Sequence, residues 1–299
     1  MRTLVTGGAG FIGSNLALEL EKQGHEVVVV DNVFSGTKDN LKEFKGKFIE
    51  KDVSLPIEFE DKFDVIFHIA AITDPRHDND DETYNKNVEG FKLMIKLAQE
   101  HNAKLIYAST ANLYGNGPIP MKEEQEKELI TAYGKSKLEM DRMASELFGK
   151  MHIVGLRYFN VFGPREAHKG RPASMVYHLY KQMKEGKRPR LFKQGEQIRD
   201  HIYVKDVVSA TLKAVEAPSG VYNVGTGIGT SFNELVKVLN EVLGTNLEIE
   251  YFDMPYDPKT YQANTQADTT LAEEKLEFKT EFTVKDGIKD YIKWIENES

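Results

Sequence analysis

Tyr133 and Lys137 are the two side chains of this 299-residue chain whose spacing most directly suggests acid–base chemistry. They are four residues apart, so on a helix the phenol and the ammonium lie one above the other. Using a tyrosine of pKa about 10 as a base near pH 7 costs roughly 4 kcal/mol, and a neighbouring lysine lowers that cost. A solvated Tyr–Lys pair is the alternative. Because Met140 and Ala144 continue the same helical stripe, the pattern predicts that this face is buried.

Thr110 follows a short apolar segment at residues 105–109, which predicts a β-strand. Open parallel sheets bind their ligands at the carboxyl ends of the strands. A hydroxyl at this position could share a proton with Tyr133 and with a bound hydroxyl group. Threonine is also common at strand ends without any such role, so the residue type leaves both interpretations open.

A glycine-rich segment follows the first apolar strand directly and leads into a helix. It reads G-x-G-x-x-G at residues 8, 10 and 13, and Gly7 adds an overlapping G-x-x-G-x-x-G. Glycines let the backbone approach a pyrophosphate closely, while the helix N-terminus offers free N–H groups. Asp31 ends the second strand, 18 residues after Gly13, where a carboxylate can accept ribose hydroxyls. We therefore predict a dinucleotide cofactor that contacts Gly7, Gly10, Phe11, Ile12 and Gly13.

The residues around Asp31 bear on which nicotinamide dinucleotide is bound. A carboxylate at this position favours NAD, because the 2′-phosphate of NADP would meet a like charge. Lys38 lies close enough in sequence to weaken that inference, and Asn32 is a further predicted contact. Asp52 follows the third strand and could contact the adenine amine, although acids at strand ends are often turn or cap residues. The predicted cofactor is therefore NAD or NADP.

Short apolar segments alternate with amphipathic helical segments over the first half of the chain. Strands are predicted at residues 3–6, 26–30, 47–50, 65–69, 105–109 and 153–158, and helices at 81–100 and 132–148. Within the first helix, an apolar stripe is formed by Val88, Phe91, Ile95 and Ala98. Such alternation is typical of an α/β protein with a Rossmann-type doubly wound parallel sheet.

The pattern becomes less regular after Gly163. Helices are predicted at residues 174–185, 206–216, 231–243 and 283–297, with short strands between them. The last of these helices has one apolar side formed by Val284, Ile288, Tyr291 and Ile292. We predict a nicotinamide-dinucleotide-binding domain at residues 1–165, followed by a smaller α/β, mainly substrate-binding portion at 166–299 with crossovers back to the first domain.

The overall composition excludes several classes of protein. Hydrophobic residues make up 40% and charged residues 29%, which is typical of a globular chain. A net charge of −8 repels phosphate backbones and anionic membrane surfaces, so neither nucleic acid nor a membrane is an expected partner. The chain has no cysteine, which excludes disulfides and thiolate nucleophiles and fits a cytoplasmic protein. No metal site is predicted.

Several motifs distributed along the chain resemble those of the extended short-chain dehydrogenase/reductases, in particular the NAD-dependent epimerase/dehydratase family. They are residues 6–13 (TGGAGFIG), the Tyr133/Lys137 pair, residues 157–160 (RYFN) with Gly163-Pro164, and residues 199–200 (RD) with 203–207 (YVKDV). The resemblance implies that Tyr133 is catalytic and that Lys137 also binds the cofactor. By the same match, further cofactor contacts are expected at Val53, Ile69, Ala70, Ala71 and Asn87.

The residues after Thr110 distinguish between the reactions of this family. Its dehydratases carry an Asp-Glu pair there, whereas this chain has Ala111-Asn112. We therefore predict a nucleotide-diphospho-sugar epimerase. Such an enzyme transiently oxidises a carbinol to a keto sugar with a tightly bound nicotinamide and returns the hydride to the other face, so that no net redox change results.

Two segments resemble more specifically the ADP-glyceromanno-heptose 6-epimerase family: residues 164–170, continuing to 178–179, and residues 261–268. The resemblance implies that Tyr133 and Lys169 are two acid–base groups on opposite sides of the sugar. Without it, Lys169 reads as part of a solvated basic loop. Substrate contacts are expected at Thr110, Asn160, Lys169, Arg171, His178, Phe192, Arg199 and Tyr261. The planar guanidinium of Arg199 suits a pyrophosphate.

Other activities within and outside the family stay open at this point. Asp31-Asn32 and residues 35–38 equally resemble the UDP-hexose 4-epimerases, which hold NAD and would act through Tyr133 alone. A nucleotide-sugar dehydrogenase or reductase and a noncatalytic nucleotide-binding protein are further alternatives. The expected partners are therefore an ADP-heptose or a UDP-hexose, and the resemblance implies a homo-oligomer.

Overall fold

A seven-stranded parallel sheet forms the centre of the molecule. The computed structural model describes residues 1–74, 77, 79–125, 127–129, 131–254 and 261–298, with the backbone alone at residue 193. The strands of all the sheets, in chain order along the described residues, are β1 (Arg2–Thr6), β2 (Glu26–Asp31), β3 (Lys47–Glu50), β4 (Val65–His68), β5 (Lys104–Thr110), β6 (Ile153–Tyr158), β7 (Asn160–Phe162), β8 (Arg190–Phe192), β9 (Ile198–Arg199), β10 (His201–Tyr203), β11 (Gly220–Val224), β12 (Thr230–Ser231) and β13 (Glu250–Phe252).

The strand order of this sheet creates a crevice at one edge. The order is β11-β6-β5-β4-β1-β2-β3, so the chain moves outward from β1 to β3 and then crosses back to β4 on the other side of β1. Thr6 at the end of β1 lies opposite Val30 of β2 and His68 of β4. The connections leaving β1 and β4 therefore diverge beyond Thr6, and such a switch point is where doubly wound sheets bind ligands.

Helices cover both faces of the sheet. They are α1 (Phe11–Lys22), α2 (Asp80–His101), α3 (Ala132–Ser145), α4 (Met175–Lys184), α5 (Val204–Lys213), α6 (Phe232–Leu243), α7 (Thr270–Lys275) and α8 (Val284–Glu298). Apolar residues of α1 and α5 pack on one face, and those of α2 and α3 pack on the other. The predicted stripe of α2 is buried throughout, and Met140 and Ala144 of α3 are fully buried, so both predictions are confirmed.

A second hydrophobic core is formed mainly by the C-terminal part of the chain. It consists of α4, α6 and α8 packed with β8 and β10, and Ile288, Tyr291 and Ile292 of α8 are buried in it as predicted. Three two-stranded sheets pair β10 with β7, β12 with β9 and β13 with β8. β11 instead returns to the large sheet beside β6. The boundary at residue 165 stays a prediction.

Element boundaries differ from the predicted ones by a few residues. α3 ends at Ser145, before the predicted residue 148, because the chain then turns towards Gly149, whose φ is +77°. α5 begins at Val204, two residues before the predicted start. In the part of the chain that the structure describes, no helix is both long and apolar enough to cross a membrane.

Candidate active site

The loop between β1 and α1 is shaped by glycines. Gly7 has a φ of +71°, and a Cβ added there would lie 2.6 Å from the backbone nitrogen of Ala70. A Cβ on Gly13 would lie 2.1 Å from the carbonyl oxygen of Gly7. Gly10 is the N-cap of α1 and provides no side-chain cap, which leaves N–H groups at the helix start available to an anion.

Asp31 fixes the far side of this loop. Its carboxylate accepts the N–H of Ala9 at 2.9 Å and the N–H of Val33 at 2.7 Å. Burial raises the pKa of Asp31, and the two backbone hydrogen bonds oppose that shift. The carboxyl group is therefore held at the end of β2, where the adenosine ribose is expected.

A cavity of about 620 Å³ opens at the switch point of the sheet. The predicted residues that line it are Gly7, Gly10, Phe11, Ile12, Gly13, Asp31, Asn32, Asp52, Val53, Ile69, Ala70, Ala71, Asn87 and Lys169. Lining residues that the sequence did not single out include Phe34, Lys51, Asp74, His77, Lys86 and His168. The glycine cradle, the free helix N-terminus and Asp31 together fit a nicotinamide dinucleotide.

Two predicted cofactor contacts are engaged elsewhere. The Nζ atom of Lys38 lies 2.6 Å from a carboxylate oxygen of Glu50, and Lys38 does not line the cavity. Asp52 lines the cavity, but its carboxylate accepts the N–H and hydroxyl of Ser54 and lies 3.4 Å from Lys86. These contacts lower the pKa of Asp52 despite its partial burial.

Tyr133 lies in the first turn of α3, next to the end of β5. Its hydroxyl hydrogen-bonds the side chain of Thr110, while burial raises the pKa of Tyr133 to about 12. The start of α3 is fixed by its N-cap Thr131, which accepts the N–H of Gly134 at 3.0 Å and donates to the side chain of Asn112 at 2.7 Å. Asn112 follows Thr110 closely, so this cap aligns the tyrosine with the strand end.

Lys137 lies one helical turn beyond Tyr133 and is almost fully buried. Its Nζ atom donates to the carbonyl oxygen of Ala108 at 2.7 Å and lies 5.9 Å from the centroid of the Tyr133 ring. Burial lowers the pKa of Lys137 to about 7, and the nearby Asp141 carboxylate opposes this shift. The structure therefore brings the predicted Thr110, Tyr133 and Lys137 together.

Asn87 connects this group to the cavity. Its side-chain oxygen accepts the N–H of Ile72 at 2.8 Å, and its side-chain nitrogen donates to the hydroxyl of Ser136 at 3.0 Å. Ser136 precedes Lys137 on α3, while Asn87 and Ile72 both line the cavity. The catalytic helix is thus anchored to the cavity wall.

Lys169 lies in the loop between β7 and α4 and contributes to another part of the wall. Its Nζ atom is 5.5 Å from the centroid of the Phe11 ring in the cofactor loop. Burial lowers the pKa of Lys169, whereas the carboxylates of Glu166 and Asp74 raise it. The amine is therefore a partly buried group at the cavity, which is not the environment of a freely solvated loop lysine.

Phe192, Arg199 and Tyr261 form a second cluster. The Arg199 guanidinium donates to the Tyr261 hydroxyl at 2.9 Å and to the carbonyl oxygens of Gln262 and Ala263. The rings of Phe192 and Tyr261 pack at 5.4 Å. The Gln262 side chain donates to the Gly115 carbonyl at 2.8 Å, which ties this cluster to the segment that follows β5.

The other predicted substrate residues lie on neighbouring elements. Asn160 of β7 donates to the Thr265 hydroxyl at 2.6 Å, close in sequence to Tyr261. The ring of His178 on α4 hydrogen-bonds the carbonyl of Arg171 at 3.2 Å, on the loop that carries Lys169. Of the predicted substrate residues, Lys169 lines the cavity, whereas the lining does not include Thr110, Asn160, Arg171, His178, Phe192, Arg199 and Tyr261.

A family profile described as the NAD dependent epimerase/dehydratase family matches residues 3–225 of the chain. The chain belongs to this family. An ADP-L-glycero-D-manno-heptose-6-epimerase of Brachyspira hyodysenteriae is 37% identical, and the alignment covers 98% of this chain and 97% of that protein. The residues matched by the family profile include most of the large sheet, the cofactor loop and Tyr133.

Solved structures support the same assignment. The ADP-L-glycero-D-manno-heptose-6-epimerase of Helicobacter pylori superposes with a TM-score of 0.93 at 37% identity, covering 99% of this chain and 96% of the other. The UDP-glucose 4-epimerase of Thermotoga maritima with UDP-glucose gives a TM-score of 0.88 at 31% identity, covering 100% and 99%. The predicted family, Rossmann-type fold, nicotinamide cofactor and epimerase class are thereby confirmed.

The sequence did not indicate a buried ion pair behind Lys137. The Asp141 carboxylate lies 2.8 Å from the Arg157 guanidinium and accepts the Tyr107 hydroxyl at 2.9 Å. Asp141 is four residues after Lys137, so the helical spacing was a signal for their proximity. Its partners Tyr107 on β5 and Arg157 on β6 gave no local signal, because they are distant from α3 in sequence and approach it only in the folded protein.

Proposed function

We propose that this epimerase acts on an ADP-heptose and inverts the stereocentre at C6. Two findings support the choice of sugar: near-full-length similarity to proteins named as heptose 6-epimerases, and the position of Lys169. The observation that carries the proposal is this partly buried amine on the cavity wall, which would be a second acid–base group besides Tyr133. An enzyme that must deliver a proton from either side of a sugar benefits from an acid–base group on each side.

Each of the four proposed catalytic residues has a distinct task. A nicotinamide dinucleotide held by the glycine loop and Asp31 would supply reversible hydride transfer at the carbinol carbon. Tyr133 removes the hydroxyl proton on one side, while Thr110 hydrogen-bonds both the phenol and the sugar. Lys137 stabilises the phenolate and binds the nicotinamide ribose, and Lys169 delivers the proton to the sugar oxygen on the other side.

Arg199 is the proposed clamp for the substrate pyrophosphate. Its fork matches two phosphate oxygens, and the rings of Phe192 and Tyr261 beside it provide apolar surface for the nucleoside. The guanidinium hydrogen-bonds carbonyl oxygens of the 262–263 segment. Substrate binding therefore requires that phosphate oxygens replace these acceptors.

NAD is the proposed resident cofactor, in preference to NADP. Asp31 places a carboxylate at the expected ribose position, and Lys38, the cation that the sequence offered for a 2′-phosphate, is paired with Glu50 outside the cavity. Releasing the bound cofactor by denaturation and identifying it by mass spectrometry tests this choice. NADP as the main species would contradict it.

Composition and family similarity support two further proposals. The absence of cysteine fits a cytoplasmic enzyme, because proteins in reducing compartments rarely contain disulfides. The family resemblance supports assembly into a homo-oligomer.

A UDP-hexose 4-epimerase is the second candidate, favoured by the 31% identity to the Thermotoga maritima structure that contains UDP-glucose. In this alternative Tyr133 is the acid–base residue for both faces, and the keto sugar rotates in the pocket. It predicts rapid interconversion of UDP-glucose and UDP-galactose, or of their N-acetyl forms.

An NMR time course with ADP-D-glycero-D-manno-heptose and each UDP-hexose tests the two candidates side by side. We expect conversion of the heptose to the L-glycero epimer and slower or no conversion of the hexoses. Lys169→Met should lower the heptose rate about 10²- to 10⁴-fold while nicotinamide stays bound. Lys22→Met is the matched control, because Lys22 is an exposed lysine on α1. Near-normal turnover by Lys169→Met would remove Lys169 as an acid–base group.

A further inference from the structure

Glu166 is a fully buried carboxylate in the loop between β7 and α4. It accepts the N–H of Gly163 at 3.0 Å, the N–H of Ser174 at 2.6 Å and the hydroxyl of Ser174 at 2.8 Å. The hydroxyl of Tyr291 on α8 is a further donor to it. One side chain therefore joins the first and last residues of this loop to each other and to the C-terminal helix.

The loop held by Glu166 also docks against the cofactor loop. The Asn15 side chain donates to the carbonyl oxygens of both Phe11 and Pro164 at 2.9 Å. The Asn40 side chain donates to the carbonyl oxygens of Ala9 at 3.1 Å and Arg165 at 3.3 Å. The start of the loop thus has a fixed position relative to the phosphate-binding turn, so the shape of the remainder decides where Lys169 lies.

Lys169 follows Glu166 within a single turn of the loop. Its N–H donates to the Glu166 carbonyl at 3.0 Å, and its amine faces Phe11 across the cavity wall. The charged groups that face this amine are Glu166 from its own loop, Asp74 from the loop after β4, and the neighbouring His168. Both carboxylates favour the protonated amine, and His168 opposes it when charged.

A buried carboxylate is costly unless it is fully hydrogen-bonded. At Glu166 four donors, all of which belong to the loop or to α8, reduce that cost, and burial still raises the pKa of the carboxyl group. A neutral amide of the same shape would fill the space, but one of its two ends would present hydrogens to the N–H groups. The carboxylate is therefore specifically suited to close this loop around two backbone donors.

We infer that Glu166 is a positioning residue for Lys169, holding the loop of residues 163–174 closed so that the amine faces the cofactor cavity. The inference rests on the proposed function, in which Lys169 is the second acid–base group. It adds a role for α8, because Tyr291 links the C-terminal helix to the catalytic loop.

Glu166→Gln is the first test, in the full-length protein with its bound nicotinamide. We expect kcat for epimerisation to fall about 10- to 100-fold with KM and cofactor content little changed, because misplacement of one reacting group has effects of this size. The part of the pH–rate profile that reports the titration of Lys169 is identified by its absence in Lys169→Met. It should move to lower pH in Glu166→Gln, because the Glu166 charge raises the pKa of Lys169. Unchanged kcat and no movement of this part of the profile would overturn the inference.

Glu43→Gln is the matched control. Glu43 contacts the same loop from the surface through Arg165, at 2.6 Å, and its side chain is 58% exposed. The variant should retain near-wild-type kcat and the same pH profile. A loss as large as that of Glu166→Gln would show that any disturbance of the loop has this effect, and would contradict a specific role for Glu166.

A double variant separates positioning from general stability. In single-turnover measurements with enzyme in excess, Glu166→Gln should change the rate less than about 2-fold when Lys169 is already Met, since coupled residues are not additive. An equal loss in both backgrounds would contradict the inference.

If Glu166→Gln does not fold, Tyr291→Phe is the alternative variant, because it removes one donor to Glu166. It should give a smaller loss of rate, and this loss should be absent when Lys169 is already Met. A wild-type rate for the single variant Lys169→Met would refute the proposed function of Lys169 as a second base. That outcome is distinct from the outcomes that contradict the positioning role of Glu166.

Discussion

Tyr133 and Lys137 share an environment that penalises charge. Burial raises the pKa of the phenol to about 12 and lowers that of the amine to about 7, so it shifts both groups towards their neutral forms. The Thr110 hydrogen bond lowers the phenol pKa, and Asp141 raises the amine pKa. A positive nicotinamide ring bound beside the pair would favour the phenolate. Residue types alone thus do not make Tyr133 a base.

Replacing the phenol tests this residue directly. We expect Tyr133→Phe to lower kcat for epimerisation about 10²- to 10⁴-fold, because the hydroxyl proton then has no acceptor on that side. Cofactor content should stay unchanged, as the phenyl ring keeps the packing. Kinetics and nicotinamide content of the purified variant measure both effects. Unchanged activity would instead favour a noncatalytic role for the pair.

Residue-level patterns indicated which side chains lie close together where spacing along one helix or one loop carries the information. The Tyr133/Lys137 pair and the glycines of the cofactor loop are of this kind. Glu166 and the Asp141–Arg157 pair were not singled out, because their partners come from distant parts of the chain. Lys38 lies in the predicted region of sequence, yet its ion pair with Glu50 on a neighbouring strand takes it away from the cavity.

At the scale of elements, the turn between β1 and α1 depends on close contact between its own backbone atoms. Gly13→Ala would place a Cβ 2.1 Å from the Gly7 carbonyl oxygen and force the turn to open. Overpacking of this kind costs about 1–3 kcal/mol, which predicts roughly 10- to 100-fold weaker cofactor binding. Titration of the cofactor-free protein with NAD measures this.

Gly90→Ala is the control for that substitution. Gly90 lies in α2, and a Cβ there would be 3.4 Å from the Val53 side chain, an ordinary contact. This variant should bind NAD like the wild type and be at least as stable, because alanine favours a helix. Equal affinity of the Gly13→Ala variant would contradict the close-contact argument.

β10 contains a histidine whose burial predicts a pH effect on stability. Both ring nitrogens of His201 lack a hydrogen-bond partner among the described residues, and the ring lies between Phe162 and Phe232. Burial, with a smaller effect of Arg199, lowers its pKa to about 3. Since the unfolded chain binds the proton at a pKa of about 6.5, stability is lost as pH falls from about 6.5 towards 3.

His201→Phe should remove this loss. At pH 5 the penalty amounts to about 2 kcal/mol, so the variant should gain that much relative to wild type between pH 8 and pH 5. Urea unfolding at the two pH values measures the difference. A gain that is the same at both pH values would show that packing, not titration, is responsible.

The main elements could be predicted because each carries its own periodicity. The six strands from β1 to β6 and the stripe of α2 are examples. Crossovers back to the first domain were predicted, but not which strand makes them, because the five-residue strand β11 has no local signal for the sheet it joins. The end of α3 was placed too late, since apolar residues 147 and 148 continue the pattern after the helix has ended.

At the scale of the whole molecule, the cofactor loop and Tyr133 lie beside strands of the large sheet, whereas Arg199 packs against Phe232 of the second core. α8 belongs to that second core, and Tyr291 connects it to the loop beside the cavity. The proposed two-sided chemistry therefore depends on both parts of the chain. Local sequence patterns describe each part but not how they meet.

The predicted homo-oligomer is a property of the whole chain. Sedimentation equilibrium should give a mass that is a multiple of 33.9 kDa over the micromolar range. A mass of 33.9 kDa at all concentrations would contradict the expectation drawn from the family.

The central claim, epimerisation at C6 by transient oxidation, is tested most directly with ADP-D-glycero-D-manno-heptose deuterated at C6. We expect NMR to show the L-glycero epimer with deuterium retained at C6, because the hydrogen leaves and returns as a hydride without exchanging with water. Two results would contradict the account: an unchanged heptose in the presence of nicotinamide-loaded protein, or an epimer whose deuterium has been replaced by solvent hydrogen.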